Sequence, residues 1–114
     1  MSTTPYCPKQ YDIIYLDFHP QAGREQSGRR PALVLSSYAY NAKTSLAFVC
    51  PITNQAKGYP FEVPLPPGIK ATGVVLSDHG KNLSWQARNA AYVCDAPPDV
   101  VEDVKAMIAA LIDL

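Results

Sequence analysis

No stretch of this 114-residue chain approaches the roughly 20 consecutive apolar residues that a membrane-spanning helix needs. Met1-Ser2-Thr3-Thr4-Pro5 has neither the basic flank nor the apolar core of a secretory leader, so the expected location is cytoplasmic, with no membrane partner. Cysteine is scarce and odd in number. Cys7, Cys50 and Cys94 lie too far apart for a disulfide framework or a zinc site, and Cys50 and Cys94 fall in apolar, strand-like stretches that suit packed thiols. His19 and His79 are the only histidines, and no spacing joins Asp17 and Asp78 into a metal set. No metal and no cofactor are expected. There is no repeat, no low-complexity tract and no linker, so residues 1–114 read as one domain. An apolar content of 47% with 18% charge is that of a globular chain.

Net charge is also lacking, and a neutral total argues at first against a nucleic-acid partner. Its distribution reverses that reading. Residues 1–94 hold nine Lys/Arg and five Asp/Glu, for +4, whereas residues 95–114 hold one Lys and five acids, for −4. A local positive cleft is compatible with a neutral whole.

What is present is mostly β. Asp12–Phe18, Pro31–Ser36, Leu46–Thr53, Phe61–Leu65, Gly73–Ser77 and Gln86–Val93 read as strands, with Pro64 placing the fourth at an edge. Tyr40-Asn41-Ala42-Lys43 reads as a turn, His79–Asn82 as a single helical turn, and residues 1–10 as a loose arm. At the end, Val100, Val101, Val104, Met107, Ile108, Leu111 and Ile112 recur at helical spacing, with acids early and Pro97-Pro98 at the entry. The expected fold is mainly β, a small bent sheet or barrel capped by a C-terminal helix.

The most informative segment is Gly23-Arg24-Glu25-Gln26-Ser27-Gly28-Arg29-Arg30-Pro31. Two glycines permit a bent loop, and three arginines in seven residues supply planar forks suited to phosphate. A 12-residue connection from His19 to Arg30 is long for a hairpin, and such loops tend to carry function. A second basic and aromatic loop, Lys57-Gly58-Tyr59-Pro60-Phe61-Glu62-Val63, follows Ile52-Thr53-Asn54.

The order strand, GREQSGRRP, strand, strand ending in PITN, then QAKGYPFEV resembles the MazF/PemK family of toxin endoribonucleases. The resemblance runs from about Asp12 to the C-terminal helix. It rests on Glu25, Gln26, Gly28, Arg30 and Pro31, on Thr53 after the next strand pair, and on Tyr40-Asn41, Lys43-Thr44 and Lys57–Val63. It implies an SH3-like barrel of the MazF/PemK/CcdB type that works as a homodimer. The implied function is that of a growth-inhibiting toxin of a type II toxin-antitoxin system, a metal-independent, sequence-specific mRNA interferase. Single-stranded RNA would be its substrate, and a MazE-like antitoxin with an acidic tail its partner; DNA would be met only through the antitoxin complex. The same barrel also supports protein-binding gyrase poisons, and a non-catalytic RNA-binding module is a further alternative.

Metal-free cleavage of RNA must activate a 2′-hydroxyl, stabilise a phosphorane and protonate the departing 5′-oxygen, leaving 2′,3′-cyclic phosphate and 5′-hydroxyl ends. The resemblance makes Arg30 the central residue and Thr53 its hydrogen-bonding companion. A guanidinium is effectively always protonated, which suits charge stabilisation and proton donation better than proton abstraction. Glu25 is either the base or the carboxylate that orients an arginine. Arg24, Gln26, Ser27, Arg29, Lys57, Tyr59 and Lys81 are the expected RNA contacts, with Tyr15, Tyr40 and Phe61 as further stacking surfaces. Trp85 reads as structural or at a dimer surface. Arg24 and Arg29 depart from the common family pattern and bear on which RNA sequence is cut.

Overall fold

The computed structural model describes residues 6–18 and 28–113. The expectations for His19, Arg24, Glu25, Gln26 and Ser27 lie outside those residues. Strand β1 (Asp12–Phe18) pairs antiparallel with β2 (Gly28–Val34), which pairs antiparallel with β3 (Leu46–Thr53). The far edge of β3 is shared. Leu46–Val49 face β6 (Lys81–Ser84), whereas Ile52 and Thr53 face β5 (Val74–Leu76). β4 (Glu62–Pro64) closes one end of the path on β5, and β7 (Ala91–Asp95) closes the other on β1. Among the described residues the strand order β4-β5-β3-β2-β1-β7 is an open path rather than a closed barrel. The mainly β class with a C-terminal helix is as expected.

Alternation along the strands sorts the core onto two faces. Ile13, Leu33, Cys50, Ile52, Val63 and Val75 pack under helix α2 (Pro98–Leu111), which contributes Val100, Val101 and Val104. On the other face lie Ile14, Leu16, Ala32, Val34, Ala47 and Val49, covered by Trp85 and flanked by Tyr6, Phe18 and Ala90. Pro97 at the N-cap and Pro98 inside the first turn start α2, as the sequence requires. Its apolar stripe outruns the core: Leu111 and Ile112 are exposed.

Four local expectations are corrected. Residues 40–43 belong to a helix, α1 (Tyr38–Thr44), whose start is capped by the Ser37 hydroxyl accepting from the Tyr40 N–H. Its Asn41 is fully buried and donates to the carbonyls of Pro8 and Ser36, a network no periodicity reveals. His79–Asn82 forms no helical turn; residues 81–84 are strand β6 because they pair with the edge of β3. Residues 86–89 are a turn, and the last strand begins only at Ala91. Residues 6–10 are no loose arm: Pro8 is buried, the Lys9 N–H donates to Asp12, and Gln10 donates to the Leu35 carbonyl.

Candidate functional site

β2 begins earlier than its apolar run suggests, so Arg29 and Arg30 stand on a strand rather than in a loop. Gly28 opens that strand with φ +114°, a backbone shape costly for other residues, and pairs with Phe18. Arg29 lies opposite Asp17 and Arg30 opposite Leu16. Pairing with β1 therefore fixes the backbone of both arginines.

The two neighbours then do different things, because successive side chains leave a strand on opposite sides. Arg29 is already engaged. Its Nη1 donates to the Asp17 carboxylate at 2.8 Å and its Nη2 to the Asn89 carbonyl at 2.6 Å. Asn89 in turn donates its amide to the other Asp17 oxygen at 2.8 Å, and Arg88 donates to the Asp17 carbonyl at 3.0 Å. Asp17, weighed from sequence as a metal carboxylate, is instead the anchor that joins the end of β1 to the turn before β7. Arg30 is half-buried, and among the described residues no carboxylate lies within ion-pair reach of it. Among the described residues its fork remains available.

Thr53 ends β3. Ala32 pairs with Pro51 and Leu33 with Cys50. The paired register ends there, and Arg30 and Thr53 each lie two residues further on, at neighbouring ends of the two adjacent strands. Both follow the alternation of the Ala32 and Val49 face, so both side chains leave the same side of the sheet. The Thr53 hydroxyl accepts from the Gln55 N–H at 3.1 Å, which leaves its own proton to donate. Its backbone is held from β5: Thr53 pairs with Val74, and a Cβ added to Gly73 would come 2.3 Å from the Thr53 carbonyl oxygen. The adjoining Asn54 accepts from the Thr72 hydroxyl at 3.0 Å. Sequence reasoning missed Gly73; a glycine at a strand entrance was the one available signal.

The loop after β3 is ordered from below. The Glu62 carboxylate accepts from the backbone N–H groups of Lys57 and Gly58 at 3.0–3.2 Å. Lys57 is exposed, and Tyr59 is 61% exposed, as expected of a residue between Gly58 and Pro60. The β1 end, the β2 start and the β3 end lie at one end of the sheet, which brings Arg29, Arg30 and Thr53 there, and the loop carrying Lys57 and Tyr59 leaves β3 from that same end. Lys81 does not join them. It is exposed but pairs with Val49, four positions back along β3, or about 13 Å at roughly 3.3 Å per residue. Tyr15 and Tyr40 are exposed on the surface, and Trp85 is buried with its indole N–H on the Asn41 carbonyl.

Other candidates are less well placed for chemistry. His79 is an exposed turn residue with Asp78 at 3.7 Å. Cys50 is fully buried, and burial pushes its thiol up to about 12, which removes it as a nucleophile near neutral pH. Among the described residues no group of three or more His, Cys, Asp or Glu is arranged to hold a metal ion. No helix there is long and apolar enough to cross a membrane.

Comparison with known proteins bears on the family and the fold. Residues 9–112 match the model of the PemK-like, MazF-like toxins of type II toxin-antitoxin systems. The chain is 45% identical over 107 residues to the endoribonuclease toxin MazF of Escherichia coli, covering 94% of this chain and 96% of that one. The endoribonuclease toxin ChpB of the same species is 37% identical, with 90% and 91% covered. Among solved structures, a MazE–MazF complex from Deinococcus radiodurans superposes with a TM-score of 0.89 at 49% identity, covering 96% of this chain and 98% of that chain. The match over residues 9–112, with 45% identity across 94% of the chain and this fold, places the chain in the PemK/MazF-like family of toxins of type II toxin-antitoxin systems.

Proposed function

We propose that this protein is the endoribonuclease toxin of a type II toxin-antitoxin system, cutting single-stranded RNA without a metal. The observation that carries the reading is that Arg30 and Thr53 leave one face of the sheet from neighbouring ends of adjacent strands, with the Arg30 fork uncommitted among the described residues. The ribose 2′-oxygen attacks the adjacent phosphorus, the bond from phosphorus to the 5′-oxygen breaks, and the 5′-oxygen leaves with a proton donated by the Arg30 guanidinium, which solvent then restores. Arg30 binds the non-bridging oxygens through its fork as their charge grows, and Thr53 donates its hydroxyl to the same phosphate. Glu25 is the carboxylate we assign to take the 2′-proton, since a guanidinium already protonated has no place to accept it.

Lys57 and the exposed ring of Tyr59 meet the flanking nucleotides as phosphate contact and stacking surface. Arg29 acts differently from Arg30. It holds the edge together through Asp17 and lends its positive field to the RNA rather than a free fork. The protein acts in the cytoplasm, where a cognate antitoxin with an acidic, extended tail lies along the basic edge and displaces RNA, ordering as it binds. The charge split supports a homodimer poorly but the surface supports it well. An apolar groove of about 580 Å³ runs between α2 and the sheet, lined by Tyr11, Leu35, Phe48, Ile108 and Ile112.

Mapping the ends made on one long RNA by the purified protein tests the reading. New 5′-hydroxyl ends at a recurring short sequence support it. Intact RNA in the absence of antitoxin sinks it and leaves a protein-binding toxin or a passive RNA binder.

A further inference from the structure

Arg29 and Arg30 stand side by side at the start of β2, and a single strand of RNA offers a phosphate at every nucleotide. Two free forks one residue apart would therefore hold the strand in two registers. Only the fork of Arg30 sets a phosphate beside Thr53, because successive side chains leave β2 on opposite sides. The structure restrains the other fork. Both arms of Arg29 are engaged, Nη1 with the Asp17 carboxylate at 2.8 Å and Nη2 with the Asn89 carbonyl at 2.6 Å. Among the described residues Arg30 meets no such carboxylate.

The clamp on Arg29 is more elaborate than a surface ion pair requires. The Asn89 amide donates to the second Asp17 oxygen at 2.8 Å, so both carboxylate oxygens are engaged and the group keeps one orientation. Asn89 does this from φ +57°, a left-handed shape that asparagine tolerates better than most residues. The main chain of Asp17 is held separately. Its N–H donates to the Arg88 carbonyl at 2.9 Å, and its carbonyl accepts from the Arg88 guanidinium at 3.0 Å. The end of β1 therefore keeps its place without help from the carboxylate. An ion pair as exposed as Asp17–Arg29 also adds little to stability. What the carboxylate does control is the charge and the reach of Arg29.

We infer that Asp17 is a positioning residue for RNA cleavage: it holds the Arg29 fork away from phosphate, so that the strand is gripped by Arg30 and the scissile phosphate comes to rest beside Thr53. For its place in a reaction this rests on the endoribonuclease reading. Asp17 acts through Arg29 rather than on the reacting atoms, and its removal brings a gain as well as a loss. Released from the carboxylate, Arg29 takes a phosphate of its own. That strengthens binding and divides the RNA between two registers, one of them unproductive. A residue that merely kept the strand in shape would, on removal, weaken binding and cleavage together.

The test reads binding and cleavage separately in wild type, Asp17→Asn, Arg29→Ala and the double variant, each first shown to unfold cooperatively in urea. Binding is measured across a salt series with a strand made wholly of 2′-deoxy nucleotides, which cannot be cut by a 2′-oxygen. Cleavage is measured in single turnover, with protein in excess, on RNA of the same sequence. Asp17→Asn is expected to bind at least as tightly as wild type at low salt, with a log–log slope steeper by about 0.7, the mark of one more phosphate. It should cut at least about tenfold more slowly, as misplaced reacting groups do. In the Arg29→Ala background the same substitution should leave the slope unchanged and the rate within about twofold. Should Asp17→Asn fail to fold, Asn89→Gly suits φ +57° and removes the amide that steadies the carboxylate, and it is expected to steepen the slope in the same direction. An unchanged or shallower slope, an unchanged rate, or a rate loss that persists without Arg29 overturns the inference. Wild type that binds the deoxy strand but cuts no RNA fails the proposed function and leaves the slope to decide whether Asp17 restrains Arg29. Wild type that binds neither strand sinks both.

Discussion

Gly73 packs against the main-chain carbonyl of Thr53, so closely that a Cβ on Gly73 would stand 2.3 Å from the oxygen and 2.8 Å from the carbon. Backbone cannot yield as a flexible side chain does, and φ +112° at Gly73 is itself unfavourable for an L-residue. Gly73→Ala is therefore expected to displace the end of β3. Stability should fall by about 2 kcal/mol, read by urea denaturation. RNA cleavage by the folded fraction should fall with it, because the Thr53 hydroxyl moves. A variant with wild-type stability and rate would show that the two strands separate freely here.

Arg29 and Arg30 are adjacent yet should respond differently to truncation. Arg30→Ala, like Thr53→Ala, removes a donor to the transition state and is expected to slow cleavage by about 100-fold or more, near 3 kcal/mol, with little change in melting temperature. Lys at position 30 should rescue poorly for want of the fork. Arg29→Ala breaks a pair whose side chains are 38% and 39% exposed, so its cost in stability should be below about 1 kcal/mol. Its effect on rate should be much smaller than that of Arg30→Ala. Equal losses at both positions would place the phosphate between them rather than on Arg30.

RNA binding should weaken with salt despite the neutral total charge. With about three phosphates contacted, the log–log slope for a single strand is near −2. Lys57→Ala should make that slope shallower by nearly one contact, and Lys81→Ala should leave it unchanged, since Lys81 lies well back along β3. Filter binding across a salt series decides this, and a slope that moves only with Lys81 would put the RNA on the other end of the sheet.

Cleavage should continue in excess chelator, and a substrate with a 2′-deoxy nucleotide at the cut position should bind without being cut. Products with 5′-phosphate ends, or activity restored only by magnesium, would exclude the attack by the 2′-oxygen proposed above.

Cys50 offers a check on the interior. Burial raises its thiol from 9.0 to about 12. The unfolded chain therefore loses this proton first as pH rises, and the folded state binds more protons between those values. The contribution is fully present below pH 9.0 and is lost as pH climbs toward about 12. Denaturation midpoints should fall more steeply over that window in wild type than in Cys50→Ala. Iodoacetamide near pH 8 should modify Cys50 only after denaturation.

The sequence made some of this legible and hid the rest for physical reasons. Content rich in Ile, Tyr and Phe located β1, and the spacing of Val100, Val101 and Val104 located α2, where burial imposes a period. The start of β2 was missed because Gly28, Arg29 and Arg30 hold their strand shape through pairing with β1, and pairing leaves no period in a basic stretch. α1 was read as a turn since its stability comes from the buried Asn41 and the Ser37 cap rather than from an amphipathic stripe. Motif spacing found Arg30 and Thr53. The groups that hold the site in place, Asp17, Asn89, Glu62 and Gly73, act across distant parts of the chain, and Asn89 lies 72 positions from the carboxylate it binds.

The grip of Glu62 on the Lys57 and Gly58 amides has a consequence for how such a protein can change. The loop's shape is set by a carboxylate reaching its main chain from the neighbouring strand, and that shape asks nothing of the side chains at 57 and 59. Those positions can be exchanged one at a time without rebuilding the loop. A descendant or an engineered variant can acquire a new reading preference while its frame stays as it was, and directed libraries that hold Glu62, Gly58 and Gly73 constant should yield folded members at high frequency.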